Sequence, residues 1–325
     1  MTRARGFWHQ AAGRGDIVAG SLAAPATGWC LVKTKYSAVS PGTERLVFRG
    51  DVPPELYEDM ACPYMGGAFP FPVKYGYSLV GEVVASPGAP DLPGRDVHVL
   101  HPHQDFCLVR VEDVFPIPRG VPPARATLAS NLETAVNAVW DSGITAGERA
   151  LVVGFGTVGS LVARLISLFP GVDVAVAEPH PGSAELARTL GFAVLEEDSP
   201  SSFDLAFHAS GSPEGLQTAL DRVGFEGRVI ELSWFGTKIV PLSLGGRFHS
   251  GRKSLQSSQV SSVAQRMRPR WDIRRRKELV FRLLEKPEFD GHITRSCPFS
   301  RLPEVFADFE NLAGRGLSLL VTYEE

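Results

Sequence analysis

Leu151-Val-Val-Gly-Phe-Gly-Thr-Val-Gly159 is an apolar run that ends in a glycine-rich turn and opens an amphipathic helix. Gly154, Gly156 and Gly159 stand at G-x-G-x-x-G spacing, and each has its own physical task. Gly154 permits a tight turn, Gly156 lets the backbone approach a diphosphate without a Cβ in the way, and Gly159 lets helix and strand pack closely. The amides of the turn, including those of Phe155, Thr157 and Val158, then meet an anionic ligand at the positive end of the helix. Val158, Leu161, Val162, Leu165 and Phe169 share one helical face, which predicts a helix over 158–169 ended by Pro170-Gly171.

Reading forward, strands are predicted at 150–153, 172–177, 203–209 and 228–232, with helices at 183–190 and 214–223 between them. This alternation implies a doubly wound α/β fold, a parallel sheet with helices on both faces. Glu178 follows the second strand about 20 residues past the glycines, where a carboxylate accepts the hydroxyls of an adenine ribose. It would repel a 2′-phosphate, and residues 179–183 supply no Arg or Lys to receive one, so NAD is expected over NADP. Ser210 and Gly211 end one strand and Ser233 the next, along the carboxyl edge where ligands of open α/β sheets lie. These three are the expected contacts on the nicotinamide side, with Ser233-Trp-Phe235 as a candidate wall.

Reading backward, residues 1–118 are rich in Pro and Gly and carry short strand-like runs at 30–36, 79–84, 96–100 and 106–111, which predicts a bent β-rich domain. A helix is expected over 124–141. The tail predicts helices at 277–284 and 302–312 and a last strand at 317–323. The division expected is a β-rich domain of 1–118 and 268–325 around a dinucleotide-binding domain of 119–267.

The chain has 325 residues, 44% hydrophobic and 21% charged, with a net charge of -3. That composition is of a globular protein, and it offers no global field for nucleic acid or an anionic membrane. The run from Arg266 to Lys277 is read as a solvated basic loop leading into a helix. The four cysteines are scattered and form no C-x-x-C pair, which argues for reduced thiols in a cytoplasm. No apolar run reaches bilayer length, and the N-terminus lacks the apolar core of a signal peptide.

The order of these parts resembles the medium-chain dehydrogenase/reductase family. Ala38-Val-Ser-Pro-Gly-Thr-Glu44 is similar to its G-I-C-G-T-D segment, Tyr75-Gly-Tyr-Ser-Leu-Val-Gly-Glu-Val-Val84 to its G-H-E-x-x-G-x-V segment, and 145–159 to the start of its cofactor domain. The resemblance implies a Rossmann sheet, a GroES-like catalytic domain completed by the tail, a site in the cleft between them, and a homodimer. Pro41–Val47 is also similar to the branch that contains bacteriochlorophyllide dehydrogenase, a single stretch that assigns no substrate.

The zinc ligands of the family are replaced. Pro41 or Ser40 stands at the cysteine position, Tyr77 at the histidine and Ser78 at the glutamate, and no Cys lies near 130–134. A catalytic zinc needs three protein ligands, so no zinc is expected. His98, His101, His103 and Cys107 form a minor metal candidate, read mainly as core or surface groups.

Without a Lewis acid another donor must polarise the substrate. Tyr77 is the first candidate, against simple filling of the vacated metal site. Thr43 matches the hydroxyl of the family's proton relay, against a turn residue after Pro41-Gly42. Glu133 is read chiefly as a surface-paired carboxylate and His249 as a loop histidine, each with a lesser catalytic reading. The expected function is zinc-independent hydride transfer between NAD(H) and a small or medium organic molecule, an alcohol/ketone or an activated double bond. The rival is a non-catalytic dinucleotide-binding redox sensor or scaffold.

Overall fold

The computed structural model of the chain describes residues 1–196, 202–309 and 316–324. The chain divides into two compact units. The first comprises Met1–Ser130, Phe281–Leu312 and Ser318–Glu325, and the second Asn131–Val280 and Ala313–Leu317.

The first unit is organised on the long strand Trp29–Val39. Leu79–Ala85 and Phe106–Arg110 pair antiparallel with it, and Asp96–Val99 pairs with Leu79–Ala85. Alternation turns Cys30, Val32, Leu79, Val83, Val97, Cys107 and Val109 into one core, each aliphatic side chain worth about 1.5–3 kcal/mol on burial. Gly81 is required where strands meet, because a Cβ there would lie 2.4 Å from the Lys33 carbonyl oxygen. The tail returns to this sheet, with Ser318–Thr322 antiparallel to Trp29–Val39 and parallel to Ile293–Pro298.

The sequence pattern singles out no element before residue 30. The structure places the antiparallel strands Thr2–Ala11 and Arg14–Leu22 there, and Phe7 joins Phe48, Phe299, Leu302 and Phe306 in a second core. Only part of the expected 302–312 helix falls in described residues, as Leu302–Ala307. Residues 310–312 lie outside them.

Thr43 is not in a turn. Pro41–Arg49 is a helix with Pro41 in its first turn, where a missing N–H costs nothing. The Ser40 N–H donates to the Glu44 carboxylate at 2.7 Å, and Gly50 at φ 79° ends the helix. The single helix expected over 124–141 is two, Pro123–Ala126 and Ala129–Ser142, because Thr127 turns its hydroxyl back onto the Ala124 carbonyl.

Among the described residues the second unit holds six parallel strands in the order Ala193–Val194, Asp173–Ala177, Arg149–Val153, Phe203–His208, Val223–Glu231 and Ser254–Ser257. In chain order this is 3-2-1-4-5-6, the Rossmann arrangement, whose switch point lies beside the strand that carries the glycine turn. The helix after the turn is Thr157–Ile166, with Leu161, Val162, Leu165 and Ile166 buried.

Candidate active site

At the switch point the three glycines meet three different surroundings. Gly154 has φ 92°, and a Cβ on it would lie 2.6 Å from the Ser210 backbone. A Cβ on Gly159 would lie 2.0 Å from the Gly154 carbonyl oxygen. Gly156 is exposed, with nothing within 4 Å of an added Cβ. Next to it the buried Thr157 Oγ1 has no hydrogen-bond partner among the described residues. An open face at the middle glycine and an unspent hydroxyl at a helix N-terminus fit an anionic group arriving there.

Phe155 differs from its expectation. Its amide is not free, because it donates to Glu178 Oε2 at 2.7 Å, and its ring is core, packed edge-on to Phe192. Glu178 Oε1 accepts the His180 N–H at 2.9 Å. The half-buried carboxylate is thereby held beside the turn, and each oxygen keeps a lone pair for a hydroxyl donor. Val158 is partly buried in the first helical turn.

On the other side of the turn Ser210 is exposed, and the Gly211 N–H donates to Ser233 Oγ at 3.0 Å. Phe235, expected in a nicotinamide wall, stacks on the buried His208 ring at 6.1 Å. His249 is exposed in the short Arg247–Ser250 helix. Glu133 is not on a surface. It is buried, 2.5 Å from Lys277 Nζ and 3.3 Å from Arg276 Nε, so the end of the basic run closes an interior ion cluster while Arg268 and Arg270 stay exposed.

The first unit brings Tyr77 and Thr43 together. The Ser130 hydroxyl donates to the Tyr77 carbonyl at 2.8 Å and the Ser78 hydroxyl to the Thr127 carbonyl at 2.6 Å, which fixes the backbone of the segment. The Ser40 and Thr43 side chains lie close enough to the Tyr77 phenol to favour its ionised form. Burial pushes the phenol well above its ordinary range. Glu44 adds to the rise, and the Ser40 and Thr43 hydroxyls, which can donate to a phenolate, oppose it.

Glu44 is fully buried, and its Oε2 lies 2.9 Å from His103 Nε2. His103 Nδ1 lies 2.7 Å from Ser37 Oγ, which lies 2.9 Å from the Tyr323 hydroxyl. An ionised carboxylate only accepts, so the bonds run one way, from Tyr323 to Ser37 to His103 to Glu44. Sequence reasoning did not find Glu44, Ser37 or Tyr323. The one local signal for Ser37 and Glu44 was the cluster of polar residues Ser37, Ser40, Thr43 and Glu44 at and after the end of a strand.

The metal candidates diverge. His103 serves Glu44, and His98 Nε2 lies 3.3 Å from Ser130 Oγ. His101 Nδ1 lies 2.8 Å from the Pro102 carbonyl and 3.3 Å from Cys107 Sγ. Among the described residues no three His, Cys, Asp or Glu side chains converge as metal ligands. Burial pushes the thiols of Cys62 and Cys107 up to about 12 and those of Cys30 and Cys297 to about 11, away from the thiolate that binds metal or attacks carbon. Ser40, Pro41, Tyr77 and Ser78 do not fit a catalytic zinc. A surface cavity of about 270 Å³, lined by residues such as Lys33, Asp105, Phe299 and Tyr323, includes neither Tyr77 nor Thr43 in its walls.

No family model matches the chain. Over 240 residues it is 30% identical to 2-desacetyl-2-hydroxyethyl bacteriochlorophyllide A dehydrogenase of Rhodobacter capsulatus, covering 68% of this chain and 70% of that protein. The fold is that of acetophenone reductase from Geotrichum candidum, solved with NAD, at TM-score 0.78 and 18% identity over 98% of this chain and 97% of the other. It is also that of S. aureus TarJ, solved with NADPH, at TM-score 0.74 and 14% identity over the whole of both chains. With a Rossmann sheet whose glycine turn is open at its middle residue, a β-rich unit closed by the returning tail, and this relative, the chain belongs to the medium-chain dehydrogenase/reductase family of oxidoreductases.

Proposed function

We propose that the protein is an NAD(H)-dependent, zinc-independent oxidoreductase acting on a small or medium organic molecule, an alcohol/ketone pair or an activated double bond. The observation that carries this reading is the open Gly156 with the unspent Thr157 hydroxyl beside it, flanked by the Glu178 carboxylate. Gly154, Gly156, Thr157, Val158 and Gly159 would hold the diphosphate, Glu178 the adenine ribose, and Ser210, Gly211 and Ser233 the nicotinamide half. Glu178 favours NAD, since a 2′-phosphate would meet its charge. When bound, the dinucleotide supplies or takes up a hydride.

The residues of the first unit handle the proton. Tyr77 keeps its hydrogen through neutral pH, because burial and the nearby Glu44 charge both resist its loss. Its hydroxyl donates a hydrogen bond to a substrate oxygen and then gives the proton up, and the hydroxyls of Ser40 and Thr43 solvate the phenolate left behind. A phenol so reluctant to ionise serves reduction better than oxidation. The homodimer is part of this reading through the family resemblance, and the cytoplasm through four unpaired cysteines.

The test is a fluorescence titration with NADH and NADPH followed by turnover assays on aldehydes, ketones, enones and quinones. Tighter NADH binding with hydride transfer to one class is expected. Binding without transfer to any class would favour a redox sensor, and failure to bind either dinucleotide would end both readings. Elemental analysis of protein purified without chelators is expected to find no stoichiometric zinc, and one zinc per chain would overturn the ligand argument.

A further inference from the structure

The second unit contains a buried relay that none of these roles uses. His208 ends the strand Phe203–His208, and Glu231 ends the adjacent Val223–Glu231, paired with it in register. His208 is fully buried, and its Nδ1 lies 2.7 Å and 2.9 Å from the two Glu231 oxygens. Its Nε2 lies 2.6 Å from the hydroxyl of the exposed Ser210. The Pro213–Arg222 helix closes over this contact, since a Cβ on Gly215 would lie 2.2 Å from Ser210 Oγ. The Ser233 N–H donates to Glu231 Oε1 at 2.5 Å and holds the carboxylate in place.

With a single hydrogen on the His208 ring, the acceptors order the hydrogens in this array. An ionised Glu231 only accepts, so Nδ1 carries the ring hydrogen of a neutral His208. Nε2 is then a bare acceptor, and Ser210 must spend its one hydrogen on it. The Ser212 N–H donates to the same Ser210 oxygen at 3.2 Å. Ser210 is left with a free lone pair and nothing to donate. It can receive a hydroxyl or an amide N–H from a ligand, and it offers nothing to a phosphate or carboxylate oxygen.

Its place in the sheet identifies the ligand group. Glu178 follows the strand on one side of Arg149–Val153, and Ser210 follows the strand on the other, with its backbone against Gly154. A dinucleotide whose first ribose meets Glu178 and whose diphosphate meets the glycine turn brings its second half to the Ser210 side.

We propose that His208 and Glu231 are positioning residues that force Ser210 to act as an acceptor for a hydroxyl or carboxamide donor of the nicotinamide-ribose half. The inference rests on the dinucleotide reading above and adds the sense of one hydrogen bond to it. Glu231→Gln tests that sense without changing shape. The amide oxygen stays on the Ser233 N–H, so the NH₂ faces His208 Nδ1. The ring then carries its hydrogen on Nε2, and Ser210 turns from acceptor to donor.

Two measurements on the full-length protein decide the matter. ¹⁵N NMR of the His208 imidazole is expected to show hydrogen on Nδ1 in the wild type and on Nε2 in Glu231→Gln. Titrations with NADH and with ADP, which lacks the nicotinamide half, are expected to show NADH weakened about 5- to 10-fold in Glu231→Gln and in Ser210→Ala, with ADP within about 2-fold. The double variant should be no weaker than either single one, because both lose the same bond. Ser210 is exposed, so Ser210→Ala reports even if a change at Glu231 harms folding.

A wild-type hydrogen on Nε2, equal losses for NADH and ADP, unchanged NADH binding, or additive losses would each overturn the relay while leaving the dinucleotide reading intact. A wild type that binds neither NADH nor ADP would overturn both.

Discussion

Around residues 154–159 the functional surface is mostly backbone, and its shape follows from where side chains are missing. Around Tyr77 the functional surface is side chains drawn from residues 37–44, 77, 103 and 323, with Ser37, Glu44 and His103 buried and hydrogen-bonded in series. The first arrangement binds any diphosphate of suitable shape, and the fold, though not the binding, tolerates a side chain at its open glycine. The second is a closed set of donors and acceptors in which each member depends on the next. A site made of absent Cβ atoms leaves a spacing in the sequence, whereas one made of interlocking polar groups leaves only scattered residues.

The contrast breaks first at the glycines. Gly159→Val should cost more than about 4 kcal/mol, lower the melting temperature by about 10 °C and abolish NADH binding, since the new Cβ meets a carbonyl oxygen 2.0 Å away. Gly156→Val, set in open space, should leave melting within about 2 °C and weaken NADH at least about 10-fold. Equal melting losses in the two would refute the separate tasks assigned to these glycines.

Next in size is Tyr77→Phe. Turnover should fall about 10²- to 10⁴-fold while NADH affinity stays within about 2-fold, as steady-state kinetics and titration would show. Wild-type turnover in the variant would reduce Tyr77 to packing.

The units also differ in how they answer acid. Burial lowers His9 and His101 of the first unit from 6.5 to about 3. His9 lies among the rings of Phe7, Phe48 and Phe306 with no hydrogen-bond partner among the described residues. Below pH 6.5 the unfolded chain takes up protons that the folded unit refuses. The stability they contribute is therefore complete above pH 6.5 and is lost as pH falls toward 3, by about 1.4 kcal/mol per pH unit for each histidine. Urea melts at pH 7.5 and 5.5, with hydrogen exchange to resolve the units, should find the first unit weakening more, and His9→Phe should about halve that slope. An unchanged slope would mean that His9 is not neutral in the fold.

The smallest effect concerns cofactor choice. Glu178→Ala with Pro179→Arg should weaken NADH about 10-fold and strengthen NADPH, read as the ratio of the two dissociation constants. An unchanged ratio would remove Glu178 from the ribose site.

The parallel strands, the glycine helix and the returning tail strand were legible because period, length and turn residues are local properties of the chain. The hairpin Thr2–Ala11 and Arg14–Leu22 was not, since its second strand is largely exposed and its pattern is weak. Glu133 looked like a surface charge because nothing in its own segment announces Arg276 and Lys277, more than 140 residues away. A turn reading of Thr43 competed with the relay reading because Pro41-Gly42 stops helices as readily as it starts them. Phe155 looked available because only the folded position of Glu178 shows that its amide is taken.

The sequence by itself determined the Rossmann sheet, the place of its glycine turn, the carboxylate beside it and the replacement of the zinc ligands. Each of these is set by residue type at short spacing. The tertiary structure alone decided that Ser40 and Thr43 lie beside the Tyr77 phenol, that Glu44 pairs with His103, and that His208 and Glu231 stand behind Ser210. The sense of a hydrogen bond depends on every partner its donor has, and those partners come from strands and helices that only folding makes neighbours.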